Sequence, residues 1–347
     1  MEKQTITLAD QEIASRLATR KHFLKDVDSL INWNPIRRIL DRVEIIRRKS
    51  VAGRDAFSAE VMFRIMLLQA WYGLSDYQME EQLYYNNMFM WFCHLSFENP
   101  VPDHSTICRW RARFSEKGIQ ARLFNEINRQ LSEYRIGVKE GVIVDATIVE
   151  SHARPHRKGI IEVEPVGDDE IPNQTDIQRT EFTIEESKDP DARWIKKGSK
   201  SSFGFKASIV TEKKNGTVQG VVVTPANVYD GHILEAVLDS IDLPENCEVL
   251  ADKGYCSQEN EDMLRERKLV SKIMRKKKKK QEMPLETKAF NHAISKERYR
   301  IERSFGSLKK HFGWSRSIYM GLQKTRDYLI MGAIAFNLKR FLVILQT

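Results

Sequence analysis

Apolar positions run almost unbroken from Val61 to Trp71 (Val61, Met62, Phe63, Ile65, Met66, Leu67, Leu68), which predicts a helix buried around most of its circumference. Ser75-Asp76-Tyr77-Gln78 has the spacing of a capping box, with Ser75 as N-cap and Gln78 reaching back to it, so a second helix is predicted through Leu83-Tyr84-Tyr85. After Pro100-Val101-Pro102, Asp103 is placed to cap a helix carrying Arg109, Arg111 and Arg113, with Trp110 and Phe114 on its inner side. Another helix is predicted from Ile119 to about Tyr134, so residues 1–135 read as almost wholly helical. The texture then changes. Gly141 to Ile148 is a β-branched run suited to a buried strand, and Phe203–Val210 and Thr217–Thr224 alternate around an Asn215-Gly216 hairpin turn. Cys247–Asp252 and Leu269–Met274 read as two further strands. Helices are predicted over Gly231–Ser240, from Ser257 to Lys268, and over about 295–312 and 323–345. That order gives a mixed sheet flanked by helices, an α/β architecture, over residues 136–347.

Composition narrows the class. The 347 residues are 41% hydrophobic and 30% charged, enough apolar material for a core and too much for a disordered chain. Four cysteines (Cys93, Cys108, Cys247, Cys256) make no C-x-x-C pair, which excludes a disulfide scaffold and disfavours a structural zinc. No apolar segment follows Met1-Glu2-Lys3-Gln4-Thr5, and the longest apolar stretch, Tyr328–Leu338, is shorter than the ~20 residues of a membrane span. A reducing, cytoplasmic setting is therefore expected, without a membrane partner. The formal net charge of +8 leans toward an anionic partner. It is an average. Glu162–Asp191 holds eleven acids and two bases, a local −9 that predicts a flexible acidic insert at about 160–195, and the rest of the chain carries +17. Lys272–Lys280 has no acid at all and reads either as a solvated loop or as a nucleic-acid contact.

Three acids are placed for chemistry. Asp145 follows three apolar residues inside a strand, Asp252 ends another strand, and Glu302 lies on the penultimate helix. A carboxylate in an apolar strand is costly unless it is paired or holds a metal. Converging acids repel, and divalent cations with hard oxygen ligands relieve that repulsion. At ~100° per residue Arg298 lies about 40° from Glu302 and Lys309 about 20° to its other side, so the three form one polar stripe beside an apolar stripe of Ile301, Phe305, Leu308 and Phe312. The stripe suits an acid holding a metal between cations holding a nucleic-acid backbone; equally, Arg298–Glu302 has the spacing of a simple i,i+4 pair.

Val144-Asp145-Ala146-Thr147, Leu250-Ala251-Asp252-Lys253-Gly254-Tyr255 and Arg298-x3-Glu302-x6-Lys309 resemble the motifs of the DDE transposases of bacterial insertion sequences, most closely the IS-five-like family of the IS-four/IS-five group. The stretches Leu67–Asp76 and Asp103–Ile107 are also similar to that family. Arg298, Glu302 and Lys309 match three members of its Tyr-Arg-Glu-Lys signature, while Ser295 stands where the tyrosine is expected. The resemblance implies a ribonuclease H-like catalytic domain preceded by an all-helical DNA-binding and dimerisation domain at 1–135. It implies Asp145, Asp252 and Glu302 as ligands of two Mg²⁺ ions, with Mn²⁺ as a substitute and no small-molecule cofactor. It further implies binding of the element's terminal inverted repeats, hydrolysis to 3′-hydroxyl ends, joining to target DNA, and a homodimer holding two ends. A transposase-derived regulator without catalysis, and a nuclease that cuts without joining, are the alternatives.

The expected DNA contacts are spread over the chain. The helix Ser105–Phe114 is the candidate reading helix of a helix-turn-helix-like module, with Ser105, Thr106, Arg109 and Arg113 toward DNA; a surface helix with scattered arginines is the plainer reading. Lys206, Lys253, Arg298 and Lys309 are placed near the acids to hold backbone phosphates. Trp194 and Trp314 could stack on a base, although large aromatics are more often core. Pro155 separates His152 from His156 and argues against a helical metal pair.

Overall fold

The computed structural model describes residues 7–43, 57–98, 100–134, 137–138, 140–155, 157–161, 180–184, 187–277 and 282–346. Its first part is helical: α1 (Leu8–Ala18), α2 (Phe23–Leu30), α3 (Trp33–Leu40), α4 (Ala59–Tyr72), α5 (Asp76–Tyr85), α6 (Asn87–Phe92), α7 (His104–Glu116) and α8 (Ile119–Glu133). The boundaries follow local chemistry. Ser58 caps α4 by accepting from the Val61 amide, and Gly73, at φ +66°, ends the helix in the left-handed region that glycine enters without strain. Ser75 and Gln78 make both bonds of the predicted capping box on α5, and Asp103 caps α7 through the Thr106 amide.

The sheet begins with β1 (Gly141–Ser151). A small two-stranded sheet of β2 (Arg157–Ile161) and β3 (Thr180–Ile184) follows, then β4 (Arg193–Lys197), β5 (Lys200–Glu212) and β6 (Val218–Pro225). A 3-10 turn at Asp230–His232 leads into α9 (Leu234–Leu238). β7 (Glu248–Ala251), α10 (Gln258–Glu266), β8 (Val270–Ile273), α11 (Leu285–His311), β9 (Arg316–Ser317) and α12 (Leu322–Gln346) complete the chain. β5 runs antiparallel to β1 with Asp145 opposite Ile209, and β6 antiparallel to β5 with Val221 opposite Ile209, across the predicted turn in which Gly216 has φ +68°. β7 is parallel to β1 and β8 parallel to β7. Three antiparallel strands continued by two parallel ones, in the order β6-β5-β1-β7-β8, form a ribonuclease H-like mixed sheet.

Alternation along β1 divides its side chains between two cores. Val142 and Val144 pack with Val237, Val249 and Leu264 on the α9/α10 side. Ile143 and Val149 join a second core that runs through Phe205, Ile301, Leu308 and the α12 residues Ile334 and Leu338 into the N-terminal helices at Phe63, Trp71 and Leu123. α12 is the bridge: Trp71 Nε1 donates to the Ala335 carbonyl at 2.9 Å, and Asn337 pairs with Val218 of β6.

Three expectations change. The predicted acidic insert falls largely outside the described residues, but its flanks are strands: Ile161 pairs with Thr180 in the small sheet, and Arg193–Lys197 pairs with β5 as β4. Alternating Thr180-Glu181-Phe182-Thr183-Ile184 suits an extended strand in spite of the acid at Glu181. α11 starts ten residues earlier than predicted, at Leu285, because nothing between Pro284 and Ser295 breaks a helix and Ile294 is buried. α12 matches the predicted 323–345 to within one residue at each end, but the whole helix, unlike the Tyr328–Leu338 stretch alone, is long and apolar enough to cross a membrane, yet most of it is buried against the rest of the protein.

Candidate active site

The sheet opens where the acids lie. β7 pairs with β1 from Gly141 to Val144, and β9 pairs with β1 only at Glu150 and Ser151, so among the described residues the edge of β1 between them has no strand neighbour. The register sets Val144 beside Ala251, which makes Asp145 and Asp252 the next residues on two adjacent parallel strands. A crevice at the carboxyl ends of parallel strands is a common place for a site in open α/β sheets. β7 stops because Asp252 turns to cap the 3-10 turn Lys253–Tyr255, accepting from the Lys253 amide at 2.6 Å.

α11 lies across this opening. Its Ile301, Phe305 and Leu308 are buried, as is Phe312 just beyond its end, which is the predicted apolar stripe, and the buried Ser304 beside them donates from Oγ to the Gly216 carbonyl at 3.0 Å. The polar stripe beside it places Arg298 on the acids. Arg298 Nη2 donates to Asp145 Oδ2 at 2.9 Å, Nη1 lies 3.7 Å from Asp252 Oδ1, and Nη1 also meets Met274 Sδ at 3.5 Å. The Arg298 side chain is only 14% exposed, and its Nε is buried without an acceptor. Burial pushes the Asp145 carboxyl above its ordinary range; Arg298 and the Ala146 amide oppose this, and the charge of Asp252 adds to it. Two oxygen donors side by side, with their negative charge already offset by a cation, fit two of the ligands of a hard divalent ion.

Glu302 does not join them. It is exposed one turn beyond Arg298 and makes no hydrogen bond or ion pair among the described residues. No group of three His, Cys, Asp or Glu close enough to hold a metal occurs among those residues. Lys309 is half-buried further along the stripe. Burial and the nearby charges of Lys200 and Lys197 lower its pKa, against Glu150.

The remaining predicted residues divide. Lys253 is exposed beside Asp252. Lys206 is internal instead: its ammonium pairs with Asp230 at 2.7 Å and donates to the Val228 carbonyl at 2.5 Å, so it has no free face for a phosphate. Its strand position turns it to the opposite side of β5 from Ile209, the residue opposite Asp145. Lys276, from the basic run, is tied to the turn after Asp252 through the Cys256 carbonyl (2.9 Å) and Tyr229 Oη (3.1 Å), while Lys278–Lys280 lie outside the described residues. On α7, Trp110 and Phe114 are core. Arg109 is exposed and reaches back to Thr106 Oγ1 at 3.1 Å and Ser105 Oγ at 3.4 Å, and Arg113 stacks on Trp110 at 4.9 Å. Ser105 Oγ is engaged with Asp103 Oδ1 at 2.7 Å. Arg111 turns inward to Asp76 and Gln69. Trp314 is core and Trp194 lies part-exposed over Phe203; His156 is outside the described residues. A cavity of about 650 Å³ between α4, α5, α7 and α12, lined by Asp76, Arg111, Tyr319 and Asp327, contains none of the predicted residues.

The contact that sequence reasoning missed is Arg298 on the aspartates. Its spacing suggested Glu302 as partner, whereas the actual partner lies 153 residues earlier in the chain.

Residues 136–338 match the family model of the transposase DDE domain, and residues 11–113 match that of a transposase domain (DUF772). Among solved structures, the chain resembles a cryo-EM structure of the piggyBac transposase synaptic complex with hairpin DNA, with a TM-score of 0.48 and 9% identity over 95% of this chain and 76% of that one.

Proposed function

The chain belongs to the DDE-domain transposases, and on that premise we propose how it works: it binds the terminal inverted repeats of an insertion sequence, hydrolyses phosphodiesters to free 3′-hydroxyl ends, and joins those ends to target DNA. The observation that carries this reading is the pair Asp145 and Asp252, side by side at the open end of the sheet with a cation against them. Their carboxylates would hold Mg²⁺, or Mn²⁺ in its place, and Glu302 would complete the set from α11. When bound, such a metal pair supplies Lewis-acid activation of the attacking oxygen and stabilisation of the leaving one.

The protein's own residues do the rest. The register of β1 and β7 brings the two aspartates side by side, Asp145 within its strand and Asp252 at the turn that follows β7. Lys253 and Lys309 flank the acids as contacts for backbone phosphates, and Arg109 and Arg113 on α7, with Ser105 and Thr106, face the DNA end. α7 and its neighbours would form the end-binding domain, and two copies would hold two ends together.

Purified protein, Mg²⁺ and a labelled duplex carrying the sequence that flanks its gene should yield a joined product. Asp145→Asn and Asp252→Asn should each lower joining at least about 100-fold, the scale on which removing one group that stabilises transition-state charge acts. Cutting without joining would assign a nuclease. A footprint without cleavage would assign a DNA-binding regulator. Undiminished joining in either variant would remove the acids from the site.

A further inference from the structure

From the contacts of Arg298 we infer that this side chain occupies the cation position between Asp145 and Asp252 until DNA draws it away, so that the site admits a divalent metal readily only when DNA is present. The inference rests on the reading that the two aspartates hold that metal.

Four observations carry it. The guanidinium serves both carboxylates at once, at 2.9 Å and 3.7 Å, where a metal sharing those oxygens would sit against another positive charge. The backbone beneath it is fixed: Ile294 and Ile301 are buried on either side, and Arg300 Nη1 donates to the Lys213 carbonyl at 3.0 Å. Vacating the position therefore requires side-chain rotation and no movement of α11. The seat is incomplete as well, since Nε is buried with no acceptor, so the acids and Met274 Sδ are what hold the group there. A phosphodiester offers the same planar fork a two-point anionic acceptor, so Arg298 can leave the acids for DNA and still keep a charged partner.

The consequence is linkage. Metal and Arg298 compete for Asp145 and Asp252, and phosphate and the aspartates compete for Arg298. DNA therefore tightens metal binding, and metal tightens DNA binding by the same factor. In free protein the acids stay neutralised without a metal, which limits cleavage of DNA that is not correctly seated.

The test is calorimetric titration of Mn²⁺ into metal-free, full-length protein without DNA. Arg298→Gln should bind Mn²⁺ on the order of tenfold tighter than wild type, within the usual range of coupling between sites. Arg298→Lys keeps the charge but cannot span both acids, and should fall between them. Lys253→Gln, which removes a nearby exposed charge, should change the affinity less than either. Adding a short duplex should tighten Mn²⁺ binding to wild type and leave Arg298→Gln nearly unchanged. Should the glutamine variant fail to fold by circular dichroism, the lysine variant carries the same test in the same direction. If Asp145→Asn abolishes binding while the Arg298 variants bind no tighter than wild type, the inference fails and the metal site stands. If Asp145→Asn binds like wild type, the aspartates hold no metal and both readings fall.

Discussion

Arg64 has no exposed surface, yet it is charged and sits in the middle of the apolar run that predicts α4. Its guanidinium meets Asp28 Oδ1 at 2.6 Å, Glu60 Oε1 at 3.0 Å and the Phe92 carbonyl at 2.9 Å, and lies 3.6 Å from the Trp33 ring centroid. Arg64→Ala leaves Asp28 without this ion pair and the Phe92 carbonyl without this donor, while Glu60 keeps Arg37, so the variant should lose about 3–5 kcal/mol, read from denaturant unfolding. The pH dependence has a definite sign. Burial pushes Glu60 upward, but the hydrogen bonds and charges of Arg37 and Arg64 outweigh it and hold the carboxyl below its ordinary value. A carboxyl lowered by folding stabilises the protein above its unfolded-state pKa, and that contribution is lost as the pH falls through the folded one. The acid limb of wild-type stability should therefore be steep, and that of Arg64→Ala shallower, in melts taken across the glutamate range. The sequence made the buried helix legible through seven apolar residues but not the fate of Arg64, because Asp28 lies 36 residues away and no spacing rule connects them. The candidate site divides in the same way. Asp145 is conspicuous as an acid within an apolar strand and Asp252 as one at the end of another, whereas the seat of Arg298 is a tertiary contact.

At the scale of elements, α12 decides how the two parts of the chain are joined. Asn337 is the single break in its central apolar stretch, and the structure gives the reason. Fully buried, its Oδ1 accepts from the Val218 amide at 2.8 Å, while Nδ2 donates to the Val218 carbonyl at 2.6 Å and to Asn128 Oδ1 at 2.8 Å. One side chain thus pins α12 to β6 and α8. Asn337→Leu would add apolar surface but take the partner from the Val218 amide and from Asn128 Oδ1, while the Val218 carbonyl keeps Asn128 Nδ2 at 3.1 Å, so a loss of about 1–3 kcal/mol is expected despite the gain in hydrophobicity. Thermal melts of the variant should show a lower midpoint; an unchanged midpoint would mean that water replaces these bonds at little cost. The helix itself was legible from its apolar composition. Its attachment was not, because an isolated asparagine in an apolar run reads as a flaw until its three bonds, all to groups on β6 and α8, are seen.

At the scale of the whole molecule, the +8 average conceals two opposed charge populations, and the structure sharpens where they can be separated. Part of the acidic segment is structural. Asp189 Oδ2 accepts from Ser151 Oγ at 2.8 Å and its Oδ1 from the Gly321 amide at 3.1 Å, and Asp191 Oδ2 accepts from the Leu322 amide at 2.8 Å where α12 begins. Deleting all of 162–191 would cut these bonds and confuse a charge effect with an unseated helix. Residues 162–179 hold six acids and one base, and the flanking Ile161 and Thr180 are already paired across β2 and β3. Replacing 162–179 with an Asn-Gly turn closes that hairpin in a favoured geometry and raises the formal net charge to +13. If the segment competes with DNA for the basic surfaces, the shortened protein should bind a labelled nonspecific duplex several-fold tighter by fluorescence anisotropy at about 50 mM salt. The advantage should shrink as the Debye length falls from about 10 Å at 0.1 M toward about 3 Å at 1 M, because competition between exposed charges is screened. A gain that survives high salt would point to removal of a steric obstacle. Equal affinity at low salt would show that the six acids lie too far from the DNA path to compete for it, and the basic surfaces would then act on DNA with the full charge that the sequence gives them.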